Sequence, residues 1–232
     1  MTLPNISQDK GRRLATQHRI GIISDTHVPH FSFPDAVWTL FDGVELIIHA
    51  GDLSTLSVLS ELETIAPVVA VQGNVEREEV IRKLPIKREV VIGHCRVGMV
   101  HILGDSRYYE RTARQEFPDA HVVVFGHSHV PYNREHNGLL LFNPGSATDR
   151  RRQPTCSVGM LYIDSEVLSV RGEIIPSTEI CKWSHFPLNL SLFPPGQGTF
   201  PLGILATGSL NEVIGLVACA QWWVDTSANC CE

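Results

Sequence analysis

A series of short apolar runs, each broken off by a polar residue able to bind a metal, constrains this chain more than any other feature. The runs rich in Ile and Val stop at Asp25 and His27, at Asp52, at Asn74, at His101, and at His127 and His129. Runs of this length bounded by turn residues read as buried strands. Helical patterns fit 34–41, 55–64, 75–84 and 107–117 between them. Two further strands, 86–92 and 96–102, flank a turn at Gly93. Strands alternating with helices predict α/β layers around a largely parallel central sheet. The later runs, 139–142, 158–163 and 167–175, predict a hairpin and a mixed or second sheet. Ligands of open α/β sheets sit beyond the carboxyl ends of the strands, so residues far apart in sequence can converge there.

The residue types at those ends suit one chemistry. In Asp25-Thr26-His27 and His127-Ser128-His129, positions i and i+2 point to the same side at a strand end. Carboxylate and imidazole can then grip one ion, or the two imidazoles can divide between two. Asp52 reads either as a helix cap or as a carboxylate shared by two cations. Asn74 reads as a turn residue or as a neutral oxygen ligand. His49, flanked by apolar residues, reads as a core histidine; His94, His121 and His136 read as surface or structural. A set of imidazole, carboxylate and amide without thiolate suits manganese, iron, zinc or nickel and argues against copper(I) or an iron–sulfur cluster.

Ser24-Asp25-Thr26-His27, Gly51-Asp52, Gly73-Asn74, His101, Gly126-His127-Ser128-His129 and Asn143-Pro144-Gly145-Ser146 succeed one another in a fixed order. With these residues the chain resembles the calcineurin-like metallophosphoesterases, specifically their small YfcE-like phosphodiesterase branch, over 19–175. The resemblance implies a four-layer α/β/β/α sandwich of mixed sheets flanked by helices. It implies two divalent metal ions, manganese first in expectation, with iron, zinc or nickel as alternatives. Asp25, His27, Asp52 and His129 would hold the first, and Asp52, Asn74, His101 and His127 the second. The implied activity is hydrolysis of a small-molecule phosphodiester by in-line attack of a hydroxide held between the metals, with Asp52 and Asn74 as catalytic residues. The alternatives are a phosphomonoesterase or a non-catalytic protein-binding scaffold resembling the retromer small subunit.

The chain departs from the family pattern in places. His101 is followed by Ile102-Leu103-Gly104 where a second histidine is usual, and Glu76 stands where Asp is common. Val75 occupies the position at which larger members carry a proton-donating histidine, so the leaving-group acid is unassigned. Arg150-Arg151-Arg152 reads as a solvated basic loop, with contact to a substrate phosphate as the alternative, and His30 as a candidate proton donor near the mouth.

At 232 residues the chain is long enough for one sizeable core. The expected organisation is a flexible leader over 1–18, a metallophosphoesterase domain over 19–176 and a poorly ordered tail over 177–232. A net charge of −6 argues against a nucleic-acid coat or a polybasic membrane binder. No apolar signal segment opens the chain, and the residues after Arg12-Arg13 are too polar for twin-arginine export. The six cysteines form no C-x-x-C pair, so the expectation is free thiols in a reducing cytoplasm. The apolar stretch 199–223 carries Asn211 and Glu212 at its centre, which disfavours a membrane span. Assembly into a homo-oligomer is left open.

Overall fold

The computed structural model describes residues 17–164 and 168–177. The expected leader and tail lie outside the described residues, apart from Gln17, His18 and Ser177. In chain order the strands are β1 (Gln17–Ile23), β2 (Leu46–His49), β3 (Val68–Ala70), β4 (Lys87–Ile92), β5 (Cys95–Val100), β6 (Val122–Val124), β7 (Tyr132–His136), β8 (Leu139–Asn143), β9 (Cys156–Asp164) and β10 (Ser169–Ser177). The helices are α1 (Ala36–Leu40), α2 (Ser57–Leu62), α3 (Glu78–Lys83) and α4 (Tyr109–Glu116). All four are shorter than the periodicity predicts, and a 3-10 turn at Ser106–Tyr108 takes up the start of the last one.

The strands divide equally between two five-stranded sheets, in the orders β10-β9-β1-β2-β3 and β4-β5-β6-β8-β7, so neither is the single, largely parallel centre that the alternation alone predicts. The first sheet runs parallel through β1, β2 and β3 up to one margin and antiparallel through β1, β9 and β10 to the other, whereas the second has β5, β6 and β8 parallel in its middle. Pairs β9–β10, β4–β5 and β7–β8 are antiparallel. These three antiparallel pairs are consecutive in the chain, whereas parallel neighbours need a crossover. Strand β7 escapes the sequence reading because its residues, Tyr-Asn-Arg-Glu-His, are polar and mostly exposed at a sheet margin.

Alternation along the strands divides the core into layers. Ile20, Ile22 and Ile48 from one sheet pack with Val97, Met99, Val124 and Phe142 from the other in one buried cluster. The opposite face of the first sheet, with Ile23 and Ile47, packs on Val37, Phe41, Val58, Leu62 and Val80 of the α1–α3 segments. The opposite face of the second sheet, with Val123 and Leu141, packs on Ala113 and Phe117 at α4. The result is the expected α/β/β/α sandwich. It brings the carboxyl ends of β1, β2 and β3 and those of β5, β6 and β8 to the residues singled out from sequence.

Cys95 is free and buried, and burial pushes its thiol up to about 11. Among the described residues no helix is long and apolar enough to cross a membrane.

Candidate metal centre

The loops after β1 and β2 continue the parallel ladder beyond the strands. The Asp25 N–H donates to the Gly51 carbonyl and the His27 N–H to the Asp52 carbonyl, both at 3.0 Å. Within these turns Asp25, His27 and Asp52 have φ of 55°, 47° and 57°, and His127 and His129 have 67° and 58°. Side chains other than glycine's adopt this left-handed region at a cost of about 1–2 kcal/mol each. Such residues persist only where their surroundings fix them, and they cluster at functional sites.

The surroundings do fix them. Ser146 Oγ and Thr148 Oγ1 donate to the Asp25 carbonyl at 2.8 and 3.0 Å, and Thr148 Oγ1 also to that of Thr26. Asn143 Nδ2 donates to the Gly126 carbonyl at 2.9 Å and to Ser128 Oγ at 3.2 Å, gripping the turn that carries His127 and His129. The Glu76 carboxylate accepts from the N–H groups of Leu53, Ser54 and Gly73 at 3.0, 2.6 and 2.9 Å, clamping the loop after β2 to the loop after β3. Gly73 and Gly126 stand where a Cβ would collide with Asp52 and with Ser24, so the backbone approaches these carboxylate loops only as glycine.

Six side chains meet in two groups: Asp25, His27 and His129, and Asp52, His101 and His127. His129 Nε2 lies 3.3 Å from Asp25 Oδ1, and His101 Nε2 lies 3.1 Å from Asp52 Oδ2. His27 Nε2 reaches both carboxylates, at 3.9 Å from Asp25 Oδ1 and 4.0 Å from Asp52 Oδ2. One oxygen of each carboxylate is held from behind. Asp25 Oδ2 accepts from Ser24 Oγ at 2.6 Å and from the His127 N–H at 3.1 Å. Asp52 Oδ1 accepts from the N–H groups of Asn74 and Val75 at 2.8 and 3.1 Å. The other oxygens face the histidines.

The histidines are oriented in the same manner. His101 Nδ1 donates to the Ala50 carbonyl at 2.7 Å and His129 Nδ1 to that of Asp149 at 2.6 Å. A proton on Nδ1 leaves Nε2 with a lone pair, as metal-binding imidazoles require. His27 and His129 then bring their Nε2 atoms within 3.2 Å of each other. Asp25 Oδ1 and His101 Nε2 are buried without a hydrogen-bond partner. Buried acceptors left unpaired are costly, and a shared cation removes that cost. The donor set therefore fits divalent metal ions.

Burial opposes ionisation of Asp25, but the imidazoles of His129 and His101 and the Ser24 hydroxyl beside it outweigh burial and hold the carboxyl below its ordinary value. Burial likewise opposes ionisation of Asp52, and contact with His101 and the Val75 N–H brings it down to about 2. Burial lowers His27 and His127, which favours their neutral forms. His101 is raised, burial being overcome by Asp52 and Asp25.

The structure brings together Asp25, His27, Asp52, His101, His127 and His129. Asn74 is exposed, and it meets the site through its backbone N–H, which donates to Asp52. His49 is buried as expected, accepting from the Gly51 N–H and paired with Thr26 Oγ1. His121 accepts from the Arg96 N–H, and His136 pairs with Tyr132. A cleft of about 360 Å³ opens beside His27, lined also by His30, Phe31, Val75, Arg77, Asp149 and Arg151. Of the basic triplet only Arg151 lines it; Arg150 is turned to the Gln153 carbonyl. Sequence reasoning missed the parts played by Glu76, Thr148 and Arg77. The only signal was their position just after site-bearing turns.

Residues 19–166 match the calcineurin-like phosphoesterase superfamily domain. A probable metallophosphoesterase of Methanothermobacter thermautotrophicus is 41% identical over 176 residues, covering 72% of this chain and 98% of the relative. A phosphodiesterase of Methanocaldococcus jannaschii is 30% identical over 140 residues, covering 55% of this chain and 82% of the relative. In fold, the chain is similar to zinc-complexed Vps29 of Entamoeba histolytica, with a TM-score of 0.56 at 23% identity over 68% of this chain and 98% of that one.

Proposed function

Because the chain belongs to the calcineurin-like phosphoesterase superfamily, we propose that it is a dinuclear metal-dependent phosphodiesterase acting on small-molecule diesters. The observation that carries this reading is the pair of carboxylate–histidine groups facing each other, with Asp25 Oδ1 and His101 Nε2 buried and unpaired between them. Asp25, His27 and His129 would hold one ion and Asp52, His101 and His127 the other. When bound, such a pair activates water near neutral pH and screens the charge of a phosphoryl group.

The protein's own contribution is preorganisation. The Ala50 and Asp149 carbonyls keep the Nε2 lone pairs of His101 and His129 turned inward. The Asn74 and Val75 N–H groups tie down Asp52 Oδ1 and so fix the carboxylate that would help hold the ions. Asn74, exposed beside that carboxylate, is proposed to complete the second ion's ligands and to orient a substrate oxygen. Manganese is the first metal to test, with iron, zinc and nickel as alternatives suited to the same donors. Residues 19–176 would form the catalytic domain, and the proposed setting is the cytoplasm.

A scaffold resembling Vps29 is the second reading, supported by likeness of fold. Against it stands the complete histidine set at 27, 101, 127 and 129. The test is hydrolysis of bis-p-nitrophenyl phosphate by metal-stripped full-length protein, with and without Mn²⁺. Activity should return with Mn²⁺ and fall by at least about 100-fold in Asp52→Ala, the scale expected when a metal-activated nucleophile is lost. Folded, metal-binding protein that hydrolyses no ester would favour the scaffold.

A further inference from the structure

The cleft beside His27 is lined by a mixed surface. Pro29, Phe31 and Val75 supply apolar area, and Arg77 and Arg151 supply positive charge. Both arginines sit on loops that also shape the metal centre. Arg77 follows the Glu76 clamp, and its N–H donates to the Ser54 carbonyl at 3.3 Å. Arg151 follows the turn that seats His129, with its N–H donating to Asp149 Oδ1 at 3.1 Å and its Nε 3.6 Å from Asp149 Oδ2. Its backbone is in the left-handed region, φ 45°, so the loop is held in a costly shape.

In a chain of net charge −6, two arginines thus line one cleft. Asp149 offsets part of the Arg151 charge, whereas Arg77 forms no ion pair among the described residues. The scissile phosphate does not need these arginines, since a divalent pair held by the carboxylate–histidine groups would supply positive charge there. Guanidinium groups bind phosphate through paired, directed N–H donors. Apolar walls beside them suit a planar ring.

Resting on the phosphodiesterase reading above, we propose that Arg77 and Arg151 form a second phosphate subsite. The preferred substrates are then diesters whose arm carries a planar base-like group and a further phosphate beyond the one cleaved. Two comparisons test this on the full-length, Mn²⁺-loaded protein. The first is hydrolysis of the p-nitrophenyl ester of thymidine 5′-phosphate with and without a 3′-phosphate. The 3′-phosphorylated ester should be favoured at least tenfold in kcat/KM, and the preference should shrink toward unity, through KM, in R77Q and in R77Q/R151Q.

The second comparison needs no turnover. Adenosine 3′,5′-bisphosphate should bind at least tenfold more tightly than adenosine 5′-phosphate by calorimetry, and the two variants should lose that difference. No preference in the parent protein, or a preference that survives in folded R77Q/R151Q, overturns the subsite. If no ester is hydrolysed but the bisphosphate preference is present and arginine-dependent, the catalytic reading fails and the subsite stands.

Discussion

His49 shows how a residue that touches no substrate group can set the behaviour of the site. It is wholly buried, its Nδ1 accepts from the Gly51 N–H, and its Nε2 lies 3.2 Å from Thr26 Oγ1. Both contacts suit the neutral ring, and burial lowers its pKa to about 3. The unfolded chain takes up a proton near 6.5, so between these values it binds more protons than the folded one. His49 therefore contributes stability that is complete above 6.5 and declines as pH falls toward 3. Asp52, brought down to about 2, follows the carboxylate rule: its contribution is present above 3.8 and lost as pH falls through about 2. Thermal melts of metal-free protein should lose Tm from pH 6.5 downward. His49→Gln, which keeps a donor toward Thr26 but does not titrate, should show a shallower slope. An unchanged slope would remove His49 from the account.

At the scale of elements, the short helices matter less than the turns before them. Strands β2 and β3 end in loops that carry Asp52 and Asn74, and the Glu76 carboxylate joins them through three backbone N–H groups. Glu76→Gln turns one acceptor into a donor facing donors. The expected cost is about 1–3 kcal/mol, the range for a polar group left without its partner, measured by urea unfolding. The altered Asp52 loop should also weaken metal affinity by about 10–100-fold, as for other residues that support metal ligands. A variant that loses stability but binds metal normally would make Glu76 a structural clamp alone. Strand β7 shows the limit of pattern reading. Its polar residues pair with β8 through the ladder from Tyr132↔Asn143 to His136↔Leu139, and the apolar contribution comes from the partner strand.

For the molecule as a whole, the two sheets act as one scaffold because a common buried layer joins them. The candidate metal centre lies where their strand ends meet, so side chains from both sheets would share any bound ion. Metal binding should therefore stabilise the fold as a unit and raise Tm with metal concentration. At 100 times the dissociation constant the gain is about 2.7 kcal/mol per site, provided the unfolded chain binds weakly. Calorimetry with increasing Mn²⁺, and reversal by a chelator, checks this. A Tm independent of metal would mean that the carboxylate–histidine groups hold none.

The apolar runs and their polar ends are local properties, so the chain alone determined that β1, β2, β5 and β6 would be strands and that Asp25, His27, Asp52, His101, His127 and His129 would stand at or just beyond their ends. The order of motifs was equally legible, and with it the family. Tertiary structure alone decided which strand pairs with which, and hence how the runs divide between two equal sheets. It also decided the exposure of Asn74, the clamp made by Glu76 and the convergence of Arg77 with Arg151. These depend on contacts between residues tens of positions apart, fixed by packing and backbone geometry. Asp and His carry the same letters whether they point at solvent or into the left-handed turns that aim them at a shared ion.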